Sequence, residues 1–187
     1  MHPHRFSRQV QQWYLHPRIG LILAALLGCP ALGAQTMYYC KPPQSVGQGM
    51  HQDNFYLLSK PATCTAAWTL IDDTDAENGC LRVVRGAQKA KILCLPKEGQ
   101  ANPIAEMVEQ SAVIPICMKR GQTLFFNGQL IHGSEPNKSL TRSRRTFIGH
   151  YVDSMTEQLA KFYHPILDME GNTISDVLVD QSGGPCQ

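Results

Sequence analysis

Charge is scarce in this chain. Of 187 residues only 17% are Asp, Glu, Lys or Arg, the formal net charge is +2, and the one basic cluster is Arg142, Arg144 and Arg145. Without an extended basic stripe, nucleic acid and an anionic membrane surface are poor partners, and a small-molecule substrate is the better expectation. Nothing repeats and nothing falls into low complexity, which excludes solenoids and arrays. Long hydrophobic runs are lacking too: GLILAALLGCPALGA, from Gly20 to Ala34, falls short of the ~20 residues a bilayer span needs. The cysteines (Cys29, Cys40, Cys64, Cys80, Cys94, Cys117 and Cys186) include no Cys-x-x-Cys pair and no zinc-type spacing. They read as reduced, scattered, mostly core thiols, and hence as a cytoplasmic protein. The rival reading is a secreted, cysteine-stapled chain in which residues 20–34 act as a signal peptide cleaved near Ala31-Leu32-Gly33. Pro17 at the start and Gly28 with Pro30 at the stop make the same run a complete buried helix, which is the simpler account.

What is present is a loop-rich pattern with enough apolar residues for one core. With 43% hydrophobic residues, 15 Gly and 12 Pro, residues 1–187 suit a single domain. Short β-prone runs at Thr36–Cys40, Phe55–Leu58, Thr65–Ile71, Cys80–Val84, Val113–Cys117, Thr123–Phe126 and Thr146–Val152 are separated by polar or Gly/Pro turns. Residues 86–112 are irregular apart from a helical turn near Ala105–Gln110. Met155–Tyr163 reads as a helix, and the tail from His164 is polar and poorly patterned. The fold class this implies is mainly β, an antiparallel sandwich or barrel with a few flanking helices.

Two segments carry chemistry. In His51-Gln52-Asp53, side chains two apart on a strand share a face, so an imidazole and a carboxylate can aim at one ion while Gln52 points away. His132 follows far downstream within FFNGQLIHGSEPNKS. Two imidazoles and one carboxylate in that order are the donor set of an oxygen-activating, non-haem Fe(II) site. Each residue also has a plainer reading: His-x-Asp arises by chance, and a lone His132 can be a core histidine bonded to a backbone carbonyl. Of the other histidines, His2, His4 and His16 lie in the leader, His150 sits in its own strand and His164 precedes Pro165.

The blocks MHQDNFYLL, AAWTLIDDTDAENGCLRVVRGA, GQTLFFNGQLIHGSEPNKS and RRTFIGHY, in that order, resemble the signature segments of the phytanoyl-CoA dioxygenase family of Fe(II)/2-oxoglutarate-dependent oxygenases. The matching blocks run from about Pro17 to Asp168. The resemblance implies a double-stranded β-helix, or cupin-like jelly roll, with its core at about 35–153. It also implies Fe(II) held by His51, Asp53 and His132, with 2-oxoglutarate and O2 as cosubstrates, hydroxylation of a small metabolite, and release of succinate and CO2. The family's arginine for the distal 2-oxoglutarate carboxylate falls on Ser143 by spacing from His132. Counting from RRTFIGHY instead places it on Arg144, with Arg145 as the fallback if the register slips and Arg142 as a solvated turn residue. Ser134 matches a serine that helps hold the same carboxylate, with a turn hydroxyl as the alternative. Trp68 matches a cosubstrate-side tryptophan, although core packing alone also explains it. Gln52, Tyr56 and Lys41 are candidates to face substrate. Members carry more chain before the His-x-Asp motif than the 50 residues here, so a catalytically impaired jelly-roll binding protein is the competing functional reading.

Overall fold

The computed structural model describes residues 1–94, 96 and 101–181. Gly99 of the irregular segment, the end of the tail and Cys186 lie outside the described residues. Twelve strands are described: β1 (Ala31–Lys41), β2 (Gln48–His51), β3 (Thr65–Leu70), β4 (Leu81–Val84), β5 (Val113–Ile116), β6 (Thr123–Asn127), β7 (His132–Ser134), β8 (Arg144–Asp153), β9 (Gln158–Leu159), β10 (Ile166–Leu167), β11 (Thr173–Ile174) and β12 (Leu178–Val179). A six-stranded antiparallel sheet runs β11-β10-β1-β8-β3-β6 and faces a four-stranded antiparallel sheet, β2-β7-β4-β5. Trp68, Leu70 and Leu81, packed with Ile116, Leu124, Phe126 and Ile148, form a cluster contributed by both sheets. This is the double-stranded β-helix.

Register places the functional side chains. Strand β1 pairs with β8 so that Lys41 faces Arg144 and Tyr39 faces Thr146, and β8 pairs with β3 so that Ile148 faces Trp68. In the smaller sheet His51 faces His132, while Ser134 faces Leu81. Since strand side chains alternate, Arg144, Thr146, Ile148 and His150 share the face of β8 that meets the inner cluster. Phe147 and Tyr151 take the other face and join Tyr14 of helix α1 (Arg8–Tyr14), Leu15 just after it and Leu23 of helix α2 (Pro17–Leu27). Tyr14 donates to the His150 carbonyl at 2.9 Å and Tyr151 donates to the Tyr14 carbonyl at 2.7 Å. This reciprocal pair fixes α1 over the middle of β8, behind the site.

Several elements differ from the sequence expectation. Helix α2 starts at Pro17 and stops at Gly28 (φ 78°) as expected, but it is not buried: Leu23 alone is fully covered, while Leu21 and Leu26 are 72% and 59% exposed. Ala31-Leu32-Gly33 belongs to β1. Phe55–Leu58, expected as a strand, is a helical turn, α3 (Asn54–Leu57), because Asp53 is already in right-handed backbone and its carbonyl accepts from Tyr56 and Leu57. Met155–Tyr163, expected as a helix, is instead β9 and a single tight turn. The Asp153 carboxylate ties down the Met155 amide and the Thr156 hydroxyl, and Gln158 pairs with Lys60, so local capping and tertiary pairing override helix propensity. The tail is more ordered than expected, with β10 and β11 extending the large sheet. Helix α4 (Pro103–Gln110), capped by Asn102, packs on Val84 and Ile131. Cys94 is disulfide-bonded, which departs from the expectation of reduced thiols, whereas Cys29, Cys40, Cys64, Cys80 and Cys117 are free.

Candidate metal and anion site

His51 closes β2 and His132 opens β7, so the pairing of two short strands sets their rings 4.3 Å apart. The His51 Nδ1 lies 2.9 Å from the Gly49 carbonyl and the His132 Nδ1 lies 3.0 Å from the Leu130 carbonyl. A carbonyl only accepts, so each Nδ1 carries the proton and each Nε2 keeps its lone pair for a ligand. Asp53 reaches the same point from a different backbone than predicted. It does not sit two residues along a strand from His51; β2 ends at His51, the chain turns at Gln52, and Asp53 heads α3. Its Oδ1 lies 3.7 Å from His51 Nε2 and 3.8 Å from His132 Nε2. Together these atoms all lie within 4.8 Å of one another, a spacing one ion can bridge, and among the described residues they are the one such group.

The turn at Gln52 explains the convergence. Its amide donates to the Gln129 carbonyl at 2.7 Å and the Lys91 carbonyl at 3.1 Å, and accepts from the Leu93 amide at 2.7 Å. Buried, with both amide N–H groups and one lone pair of its oxygen committed to backbone, Gln52 braces the loops around Asp53. Gly133 is required at its place: a Cβ there would lie 2.7 Å from the Gln48 carbonyl oxygen, so only glycine lets β2 approach β7 closely enough for the two histidines to meet.

Asp53 uses its other oxygen on His150, whose Nε2 lies 3.3 Å from Oδ2. Burial pushes the Asp53 carboxyl up, but His150 and His132, with His51 behind them, outweigh it and hold the group well below the usual carboxylate range. His132 is pushed down, chiefly by burial, which favours the neutral imidazole a metal needs. Sequence reasoning gave His150 no role at the site; its place on the inner face of β8, six residues after Arg144, was the available signal.

The second half of the site is cationic. Arg144 is 2% exposed and Lys41 is 1% exposed. The Arg144 Nε donates to the Gly79 carbonyl at 3.2 Å, and its guanidinium carbon lies 5.4 Å from the Tyr39 ring centre and 5.6 Å from that of Trp68. Lys41 Nζ donates to Ser134 Oγ at 2.8 Å and to the Glu135 carbonyl at 2.6 Å. No carboxylate among the described residues pairs with either cation, and burial, helped by Arg144, lowers the Lys41 ammonium to about 8. Two buried cations without a counter-charge are costly unless an anion completes them. Gly79, at φ 76°, lets this wall close, because a Cβ there would press on the Glu135 carbonyl and the Lys41 side chain. Lys41, expected to face substrate, therefore belongs with Arg144, Ser134 and Trp68. Arg145 is turned outward onto Asp72 and Arg142 onto Asp75 and Glu77, which leaves Arg144 as the inward arginine. Thr146, two after Arg144 on the same face, has a buried hydroxyl with no partner among the described residues. Tyr56 is 53% exposed with its ring 6.1 Å from that of His51, at the mouth.

A family model described as "Phytanoyl-CoA dioxygenase (PhyH)" matches residues 2–146, most of the chain and both halves of this site. The chain belongs to the phytanoyl-CoA dioxygenase family. Within that family it is 33% identical over 157 residues to the peroxisomal phytanoyl-CoA dioxygenase of Homo sapiens, covering 73% of this chain and 46% of that protein. It is 32% identical over 125 residues to the phytanoyl-CoA dioxygenase of Arabidopsis thaliana, covering 64% and 44%. The chain thus spans less than half the length of these relatives. The fold is shared with the epimerase SnoN, solved in complex with Fe3+, alpha ketoglutarate and nogalamycin RO (TM-score 0.70, 21% identity, 81% of this chain and 61% of that one). It is shared also with EctD from S. alaskensis in its apoform (TM-score 0.68, 19% identity, 81% and 55%).

Proposed function

We propose that this chain is a non-haem Fe(II)- and 2-oxoglutarate-dependent dioxygenase that hydroxylates a small hydrophobic or amphipathic metabolite. The observation that carries this is the pairing of the two half-sites: three ligand atoms converge beside two buried cations that lack a carboxylate. The donor set fits Fe(II): His51, Asp53 and His132, two imidazoles and one carboxylate, would hold the ion, and such a donor set suits oxygen activation with a 2-oxo acid. His51 and His132 present Nε2 and Asp53 presents Oδ1, each fixed by the second hydrogen bond of its own group. The Arg144 fork would bind and orient the distal carboxylate of the cosubstrate, Lys41 and Ser134 would complete the anion's partners, and the Trp68 and Tyr39 rings flank the guanidinium. When bound, the ion and its 2-oxo acid supply the oxidising chemistry, with succinate and CO2 as co-products. Tyr56 at the mouth is positioned to meet the substrate.

A jelly-roll binding protein that keeps the site without productive turnover is the second reading. Succinate release in the presence of Fe(II), 2-oxoglutarate and O2, screened across metabolite classes with Asp53→Ala as control, separates the two. Turnover that Asp53→Ala removes supports the oxygenase; a folded, iron-loaded protein that forms no succinate under any condition leaves the binding protein.

A further inference from the structure

The strand pairing that builds the smaller sheet also brings two thiols together at the back of the anion wall. In the β4–β5 register Leu81 faces Ile116 and Arg82 faces Pro115, so the next pair outward is Cys80 and Cys117. Directly opposed residues on antiparallel strands have Cα atoms about 4.5 or 5.5 Å apart, inside the roughly 4.4–6.8 Å window that a disulfide requires. The Cys117 thiol lies near enough to help push the Cys80 thiol up from its ordinary value. Both cysteines are free; Cys80 is buried and Cys117 is exposed. The pair is invisible as a motif, because 36 residues of chain separate its members and only the register joins them.

The position of Cys80 gives the pair a consequence. It directly follows Gly79, whose carbonyl accepts from Arg144 Nε and where a Cβ would meet the Lys41 side chain. The Cys80 thiol is close enough to act electrostatically on both Lys41 and Arg144. We propose that Cys80 and Cys117 are an oxidisable dithiol, and that closing them into a cross-strand disulfide shifts the Gly79 segment and so loosens the anion seat at Arg144 and Lys41. The disulfide claim stands on the register alone; its effect on 2-oxoglutarate rests on the function proposed above.

The chemistry is thiol–disulfide exchange with a low-molecular-weight disulfide as oxidant. The exposed Cys117 thiolate attacks one sulfur of the reagent, forming a mixed disulfide and expelling one thiolate. Cys80, deprotonated, then attacks the Cys117 sulfur and expels the second. The dithiol loses two electrons and two protons, and the reagent leaves as two thiols. Cys117 is exposed and Cys80 is buried, which assigns the first attack to Cys117 and the closing step to Cys80; burial also pushes the Cys80 thiol up to about 11.

The test incubates the full chain with oxidised glutathione, removes the reagent, and maps disulfides by mass spectrometry under non-reducing conditions. Expected is a linked pair of peptides carrying Cys80 and Cys117 that dithiothreitol reverses and that both Cys117→Ser and Cys80→Ala lack. Cys117 held only as a glutathione adduct, or linked to Cys40 or to a second chain, overturns the dithiol assignment. On the same samples reloaded with Fe(II) without oxygen, 2-oxoglutarate affinity should fall at least about five-fold on oxidation, the low end of coupling between two sites, and should not move in Cys117→Ser. An unchanged affinity in a fully linked protein overturns the coupling. Reduced protein that binds no 2-oxoglutarate refutes the proposed function instead, and the peptide map still decides the disulfide.

Discussion

At the residue scale the site is built from bonds that leave one atom of each group free. His51 and His132 commit Nδ1 to carbonyls, and Asp53 commits Oδ2 to His150, so three donor atoms face one point. Replacing His150 with Phe removes the partner of Oδ2 while filling the same space, and metal affinity should fall by about 10–100-fold, the usual loss when a ligand's supporting bond goes; titration with Fe(II) or Mn(II) under anaerobic conditions reads it. Lys41 gives a pH signature. Its ammonium titrates near 8 in the fold, below its ordinary value, so its charge is present below that pH and lost above it. Affinity for 2-oxoglutarate should therefore decline as pH rises through about 8, and Lys41→Met should be weaker at pH 7 and flat across that window. The four matched blocks made His51, Asp53, His132, Ser134 and Arg144 legible in the sequence. Not legible was that Lys41 faces Arg144, which only the β1–β8 register shows, or that the buried amide of Gln52 bonds to residues 39 and 77 positions away.

At the element scale, short strands locate the chemistry and glycine sets their approach. Strand β7 has three residues, yet it holds His132 opposite His51 and Ser134 beside Lys41. Gly133→Ala would set a Cβ against the Gln48 and Gly49 backbone, which cannot rotate away. The strands must part, with an expected loss of ~1–3 kcal/mol for an overpacked position. A lowered Tm together with metal affinity lost out of proportion to it is the expected outcome; unchanged metal binding would show that the β2–β7 spacing does not set the ligand geometry. Strands β3 to β6 and most of β8 were legible from β-prone runs between turns, whereas β1 starts five residues before the Thr36–Cys40 run and β2 and β7 were not among the expected strands. The two segments read as the wrong type share a cause: Phe55–Leu58 and Met155–Tyr163 are short stretches whose conformation is decided by caps and tertiary pairing at Asp53, Asp153 and Lys60, which composition does not encode.

At the scale of the whole molecule, the two sheets hold metal side and anion side on one inner surface, so ligands that join the halves should stabilise the entire fold. Fe(II) with 2-oxoglutarate at ~100 times its dissociation constant adds about 2.7 kcal/mol, and each kcal/mol moves Tm by about 2–4 °C for a chain of this size. Anaerobic calorimetry should show that increment with both ligands present, reduced in Arg144→Met and absent in Asp53→Ala. Among the described residues no helix is long and apolar enough to cross a membrane. Leu21, Ile22 and Leu26 of α2 are exposed at the surface. The most direct measurement is the visible absorption spectrum of the intact, folded chain on anaerobic addition of Fe(II) and then 2-oxoglutarate. Chelation at the His51–Asp53–His132 site should produce a weak metal-to-ligand charge-transfer band, absent in His132→Ala and needing more cosubstrate in Arg144→Met. A folded, iron-loaded protein that develops no band at saturating 2-oxoglutarate would contradict it.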